Sequence, residues 1–323
     1  MTPALPPPAH PLGPVDALAY GLLQGVTEFL PVSSSSHLTL LSKLMAACGR
    51  TPLDQAYVML FHLPTLAAVC LVLRKEIRSL FTQSGRGLLL AVFLASVVTV
   101  GIGYPLDKAF DSRHGNIGFL GCGLICTGLV LLLVEFMKPK PTEGGPWTWG
   151  RALGVGFGQS LAAIPGLSRS GMSTSAGMLC GRGRAEAAVF CFLCSIPVTL
   201  GKTAKECWKV SAAGEPDFWT NRVFYGAYAL GALVAFLAGV FTFRWFLGWT
   251  QRRTLRPFGI YCFLLGVLAL TWSLSAPRMP PNPLSPDEQK AGIPGPGPAR
   301  GPADRAQQPP VLPPDRPEKP PAP

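Results

Sequence analysis

The chain has 323 residues, of which 48% are hydrophobic and only 14% charged, with a mean hydropathy of +0.32. A soluble domain carries about 25% charged residues, so a water-soluble globular enzyme is excluded as a reading. The net charge of +11 does not point to nucleic acid either: Lys and Arg cluster between apolar runs, the pattern of membrane orientation.

Residues 1–14 are Pro-rich and are expected to be disordered. The first 42 residues hold no Lys or Arg, so no secretory signal peptide is expected. A polar-interrupted segment near 17–47 follows, read as two short apolar helices broken at Pro31. Neither half is long enough to cross a bilayer, so the pair should enter and return. Three full-length spans come next, at about 54–73, 87–104 and 117–137. A second broken segment occupies 152–181, interrupted at Pro165, and three more spans follow at 185–201, 223–247 and 258–276. Residues 277–323 hold half of the chain's 34 prolines and read as a flexible, polyproline-like tail.

The order is broken pair, three spans, broken pair, three spans, which is an internal repeat of about 15–140 and 141–276. Pro31 and Pro165 are 134 residues apart, and the same offset maps Ser34 onto Ser168 and Ser36 onto Ser170. Three crossings per repeat are odd in number, so the second repeat should be inverted, with both breaks meeting near the midplane. The loops 74–86, 138–151, 182–184 and 244–256 carry 13 Lys/Arg on one side, against 8 on the other before the tail. The richer side is expected to be cytoplasmic, which puts the first broken segment, both termini and the tail outside.

Polar groups at membrane depth are costly and therefore informative. Gln24 and Glu28, four apart, share a helix face. After Pro31, the run Ser33–Ser36 supplies cap candidates for a second helix, whose N-terminus suits a phosphate. His37, three residues after Ser34, is placed to accept the serine proton. In the second segment Pro165-Gly166 lets backbone approach a ligand, while Ser168, Ser170 and Ser173 offer hydroxyls. Arg169 offers a planar fork for two phosphate oxygens and needs an anionic partner, either Glu28 or a ligand.

Blander readings stand beside these. Glu28 could serve only as a structural partner of Arg169, and membrane serines often only pack. His62 lacks polar company in sequence and reads as structural, while His10 and His114 read as surface groups. Glu135, near Lys138 at a helix end, reads as interfacial. Gly154 and Gly158 read as a packing pair, and Cys191 with Cys194 as small apolar filler.

At QGVTEFLPVSSSSH and PGLSRSGMS the chain resembles the bacitracin-resistance family of undecaprenyl-diphosphate phosphatases, over roughly residues 15–276. The resemblance implies an all-α polytopic membrane enzyme that hydrolyses a C55 isoprenyl diphosphate to the monophosphate. That reaction recycles the lipid carrier of peptidoglycan synthesis and confers bacitracin resistance. It implies a bacterial inner-membrane location, and the charge bias above puts the active site's opening on the extracytoplasmic side. Glu28, Ser34, His37 and Arg169 fall on the family's essential positions; Gln24 stands where many members have a second glutamate, and Ser173 stands at the motif's threonine. Ser33, Ser168, Ser170 and Gly166 join Gln24 and Ser173 as expected substrate-binding residues. Either Ser34 or His37 could be the nucleophile. A divalent cation, Mg or Ca, is an optional assistant, with Glu28 the candidate ligand. The expected partner is undecaprenyl diphosphate in the bilayer, not nucleic acid, and a homodimer is left open. An isoprenyl-phosphate transporter or flippase is the competing reading, because inverted repeats with broken helices also describe transporters.

Overall fold

The computed structural model describes residues 13–48, 60–137, 145–212 and 222–275. The expected disorder of the first residues, the tail 277–323, Lys138 and the start of the 54–73 span lie outside the described residues. Among those residues all regular structure is helical, in this order: α1 (Pro14–Thr27), α2 (Ser34–Ala47), α3 (His62–Val72), α4 (Arg74–Leu80), α5 (Arg86–Ala109), α6 (Ile117–Met137), α7 (Trp149–Ser160), α8 (Arg169–Leu179), α9 (Arg184–Ala212), α10 (Arg222–Arg252) and α11 (Arg256–Ser275). Five of these, α5, α6, α9, α10 and α11, are long and apolar enough to cross a membrane, and α3 is a shorter apolar helix of 11 residues. The chain is a polytopic α-helical membrane protein. Exposed Phe93, Phe136, Phe241 and Leu268 on the long helices belong to its lipid-facing surface.

Both expected breaks are present, and their cause is local. A proline ring clashes with the carbonyl four residues earlier. For Pro31 that residue is Thr27, where α1 ends. For Pro165 it is Leu161, where α7 gives way to the 3-10 turn Leu161–Ala163. Ile164, directly before the proline, is extended, as the residue before a proline prefers. Pro105 and Pro197, by contrast, are carried inside α5 and α9.

Neighbouring helices pack as α6 with α11, α1 with α10, α5 with α7, and α8 against α7 and α9. The α6–α11 seam is backbone on backbone. A Cβ at Gly121 would lie 2.8 Å from the Gly266 carbonyl oxygen, and one at Gly128 would lie 2.6 Å from that of Gly259. Gly154 faces Cys180 at the end of α8 and Gly158 faces Ala176 within it, a packing role as expected.

Glu135 differs from its interfacial reading. Its side chain is 1% exposed and takes Nε and Nη2 of Arg184 at 2.5 and 2.6 Å. It also accepts the Leu255 N–H at 2.9 Å, tying the start of α11 to α6 and α9. The sequence neighbour Lys138 misdirects here, because the true partner comes from another helix.

Candidate active site

The two breaks meet. Glu28 sits at the C-cap of α1, and the next residue fixes its turn: Phe29 is fully buried and stacks on Phe243 at 4.8 Å between centroids. Beyond Pro31, Ser33 adopts φ 65° and ψ 85°, and it alone among the described non-glycine residues has a positive φ. Left-handed backbone costs a non-glycine residue about 1–2 kcal/mol. Local bonds hold it: Ser33 Oγ lies 2.9 Å from Ser36 Oγ, and the Ser33 carbonyl is 2.9 Å from His37 Nδ1. The reversal starts α2 at Ser34 with its hydroxyl turned back toward α1.

Glu28 is the hub. Its Oε1 accepts from Arg169 Nη2 at 2.7 Å. Its Oε2 accepts from Ser34 Oγ at 2.7 Å and from Gln24 Nε2 at 3.0 Å. His62 Nε2 lies 3.6 Å from the same oxygen. Arg169 Nη1 donates to Thr199 Oγ1 of α9 at 2.7 Å, so the guanidinium fork spans two partners. Of the two partners weighed for Arg169, the protein itself supplies Glu28.

The second segment is braced from α6. Gly166 takes φ 95°, and a Cβ there would lie 2.6 Å from the Leu120 carbonyl oxygen and 2.7 Å from Gly123 Cα, so only glycine fits. Thr127 Oγ1 accepts the Ser168 N–H at 3.0 Å. Ser168 then caps α8, its Oγ accepting the Gly171 N–H at 3.2 Å. Ser170 Oγ donates to the Leu30 carbonyl at 2.9 Å, joining one break to the other. Ser173 Oγ donates to the Arg169 carbonyl at 2.5 Å and lies 2.5 Å from Cys191 Sγ. It supports the clamp from behind.

A cavity of about 370 Å³ opens over this junction. Of the expected site residues, Glu28, Ser33, Ser34, Ser168, Arg169 and Ser170 line it. Gln24, Gly166 and Ser173 lie behind that wall and hold its members in place. His37 departs from expectation. Its Nδ1 is at the Ser33 carbonyl and its Nε2 is 2.7 Å from the Tyr261 hydroxyl of α11, while the Ser34 hydroxyl goes to Glu28. The expected Ser34–His37 pair is replaced by Ser34–Glu28 because the left-handed Ser33 swings the serine toward α1. Sequence reasoning missed Thr199 and Tyr261, which no local pattern marks. It also set His62 aside, yet His62 is 8% exposed, lines the cavity and faces the carboxylate. The available signal was an ionisable residue inside an apolar run.

Among the described residues no group of three or more His, Cys, Asp or Glu gathers as a metal site. Both Glu28 oxygens are already engaged by Arg169, Ser34 and Gln24. A divalent cation at Glu28 would have to share or displace these partners. What remains is a hydroxyl bonded to a carboxylate, beside a guanidinium held by Glu28 and Thr199 at the wall of a cavity. That arrangement suits an anionic phosphorus centre.

Comparison with known proteins agrees with this geometry. The family model described as Bacitracin resistance protein BacA matches residues 17–268, a stretch containing both breaks and the hub. An undecaprenyl-diphosphatase of Christiangramia forsetii is 31% identical over 270 residues, covering 80% of this chain and 97% of the relative. One of Myxococcus xanthus is 35% identical over 269 residues, with 79% and 88% covered. One of Carboxydothermus hydrogenoformans is 33% identical over 254 residues, with 79% and 95% covered. The resemblance seen in the two motifs thus extends through the whole helical core, and the chain belongs to the bacitracin resistance protein BacA family.

Proposed function

We propose that the protein hydrolyses undecaprenyl diphosphate to undecaprenyl phosphate and inorganic phosphate. The observation that carries this reading is Glu28 holding Ser34 and Arg169 together, one from each broken segment, at the wall of one cavity. Ser34 Oγ attacks the terminal phosphorus and its proton passes to Glu28. The Oγ–P bond forms, the anhydride P–O bond breaks, and the lipid monophosphate leaves. Water then attacks the phosphoserine, the P–Oγ bond breaks, and Ser34 recovers a proton as phosphate departs. Arg169 stabilises the charge on the transferring group. Glu28 takes the acceptor role expected of His37, which instead fixes the start of α2 through Ser33 and Tyr261. A divalent cation, Mg or Ca, would help neutralise the diphosphate, with Glu28 the carboxylate at hand.

The inverted repeat is part of the same proposal. Its support is a set of exchanged contacts. Each first broken helix packs on the corresponding helix of the other half, α1 on α10 and α7 on α5. A Cβ at Gly21 would meet the Gly231 carbonyl oxygen, and one at Gly156 would meet that of Ala95. At the α6–α11 seam, Gly121 meets Gly266 while Gly128 meets Gly259. The domain so built is residues 15–276 of a bacterial inner-membrane protein, its cavity opening to the extracytoplasmic side, where a diphosphate carrier is released.

Phosphate release from the C55 diphosphate by purified protein in detergent tests the reading. Binding without release, across pH and divalent cations, would hand the protein to the transporter reading.

A further inference from the structure

The hub occupies only part of the cavity. Gln159, Asp107, Lys202 and Lys205 also line it, and none of them takes part in the chemistry above. Gln159, near the end of α7, is 2% exposed, and neither its Nε2 nor its Oε1 has a hydrogen-bond partner. A buried amide with both ends unsatisfied costs about 1–3 kcal/mol per group, so it calls for a ligand. Lys202 Nζ is 3.3 Å from Asp107 Oδ1, and Lys205 Nζ lies 4.4 Å from the Tyr104 ring centroid. Lys202 is three residues after Thr199, the partner of Arg169, so the two share a face of α9 about one turn apart. Side-chain exposure rises from 11% at Glu28 and 26% at Arg169 to 42% at Lys202, which puts Lys202 toward the opening.

We infer that Gln159 and Lys202 form a second phosphate subsite in this cavity, one helical turn outward from the Arg169 clamp. Asp107 holds the Lys202 ammonium in place and exchanges it for a phosphate oxygen when the ligand arrives. The Gln159 amide N–H₂ donates to a second oxygen of the same group. This inference rests on the hydrolase reading and deepens it, since a diphosphate presents two phosphates in succession. The ligand is a phosphate oxyanion, either the lipid-linked phosphate of the bound substrate or the inorganic phosphate on its way out.

The test uses full-length protein in detergent, with Lys202→Gln and the near-isosteric Gln159→Glu, each checked for an unchanged melting transition. Steady-state kinetics with the C55 diphosphate and inhibition by inorganic phosphate are measured, together with equilibrium binding of both probes. If the lipid-linked phosphate is the ligand, Lys202→Gln raises KM about fivefold with kcat nearly unchanged, as expected for one partly exposed charge-assisted contact, and Gln159→Glu raises it further. If inorganic phosphate is the ligand, KM stays and the inhibition constant rises instead. Wild-type binding of both probes by both folded variants overturns the subsite. Absence of phosphate release by the wild type, with binding still weakened in the variants, overturns the hydrolase reading and leaves the subsite standing.

Discussion

Glu28 and Arg169, 141 residues apart, meet through a 2.7 Å bond between Oε1 and Nη2, and this one contact joins the two broken segments. An arginine at membrane depth is costly by about 2.5–3.5 kcal/mol or more, and a carboxylate there is similarly disfavoured. Each makes the other tolerable. Removing one partner leaves a buried charge and costs about 3–5 kcal/mol, so Ala substitutions here confound folding with chemistry. Conservative changes are the informative ones.

Arg169→Lys keeps the charge and loses the fork that reaches Glu28 and Thr199 together. Turnover is expected to fall by about 10²–10³, the range for losing a transition-state donor, with folding retained. Near-normal phosphate release by this variant would remove Arg169 from the clamp role.

The nucleophile is separable by the stability of its intermediate. A phosphoserine survives acid quench and a phosphohistidine does not. Ser34→Ala is expected to abolish release, and any trapped label is expected on Ser34. Tyr261→Phe should mimic a mild His37 defect, roughly a fivefold loss in kcat, because it removes one hydrogen bond that orients the ring. Acid-labile label on His37 would reverse these assignments.

His62, 3.6 Å from Glu28 Oε2, is expected to matter through hydrogen bonding and proton handling at the hub. His62→Gln should retain most of the orientation, whereas His62→Ala should lose about tenfold or more in kcat, the low end for general acid–base contributions. Rates of phosphate release by the two variants and the wild type check this order. Identical rates in all three proteins would return His62 to a purely structural part.

Much of this architecture is legible in the sequence. The breaks follow from Pro31 and Pro165 by a rule that acts over four residues, and the long spans follow from apolar length. Arg169's need for an anion, with Glu28 named as one of two choices, followed from the cost of burying it. What was not legible lies between elements. Thr199 and Gln159 have no local mark, because their roles arise when α9 and α7 reach the same cavity. Helical spacing alone pairs Ser34 with His37, and the left-handed Ser33 overrides that spacing. Glu135 was matched with a sequence neighbour, whereas its partner Arg184 comes from α9.

Orientation is testable in intact cells. In a background without the nine native cysteines, a single cysteine near Ser285 is expected to label from outside. Cysteines at 81–85 or 253–255, the short connections within the basic stretches 74–86 and 244–256, should label only after permeabilisation. External labelling of 253–255 would invert the topology and put the cavity's opening on the wrong side for a carrier released after extracytoplasmic assembly.

The glycine seam between α6 and α11 has a mechanical meaning. Gly121 with Gly266 and Gly128 with Gly259 interlock seven residues apart on each helix, with carbonyls where side chains would otherwise be. A slide by one turn would drive Ile125 or Leu132, the neighbours already closest to this line, into those carbonyls. The seam thus fixes the register of the two helices and bars them from ratcheting along each other, so that α6, which braces Ser168 through Thr127, is held at one height.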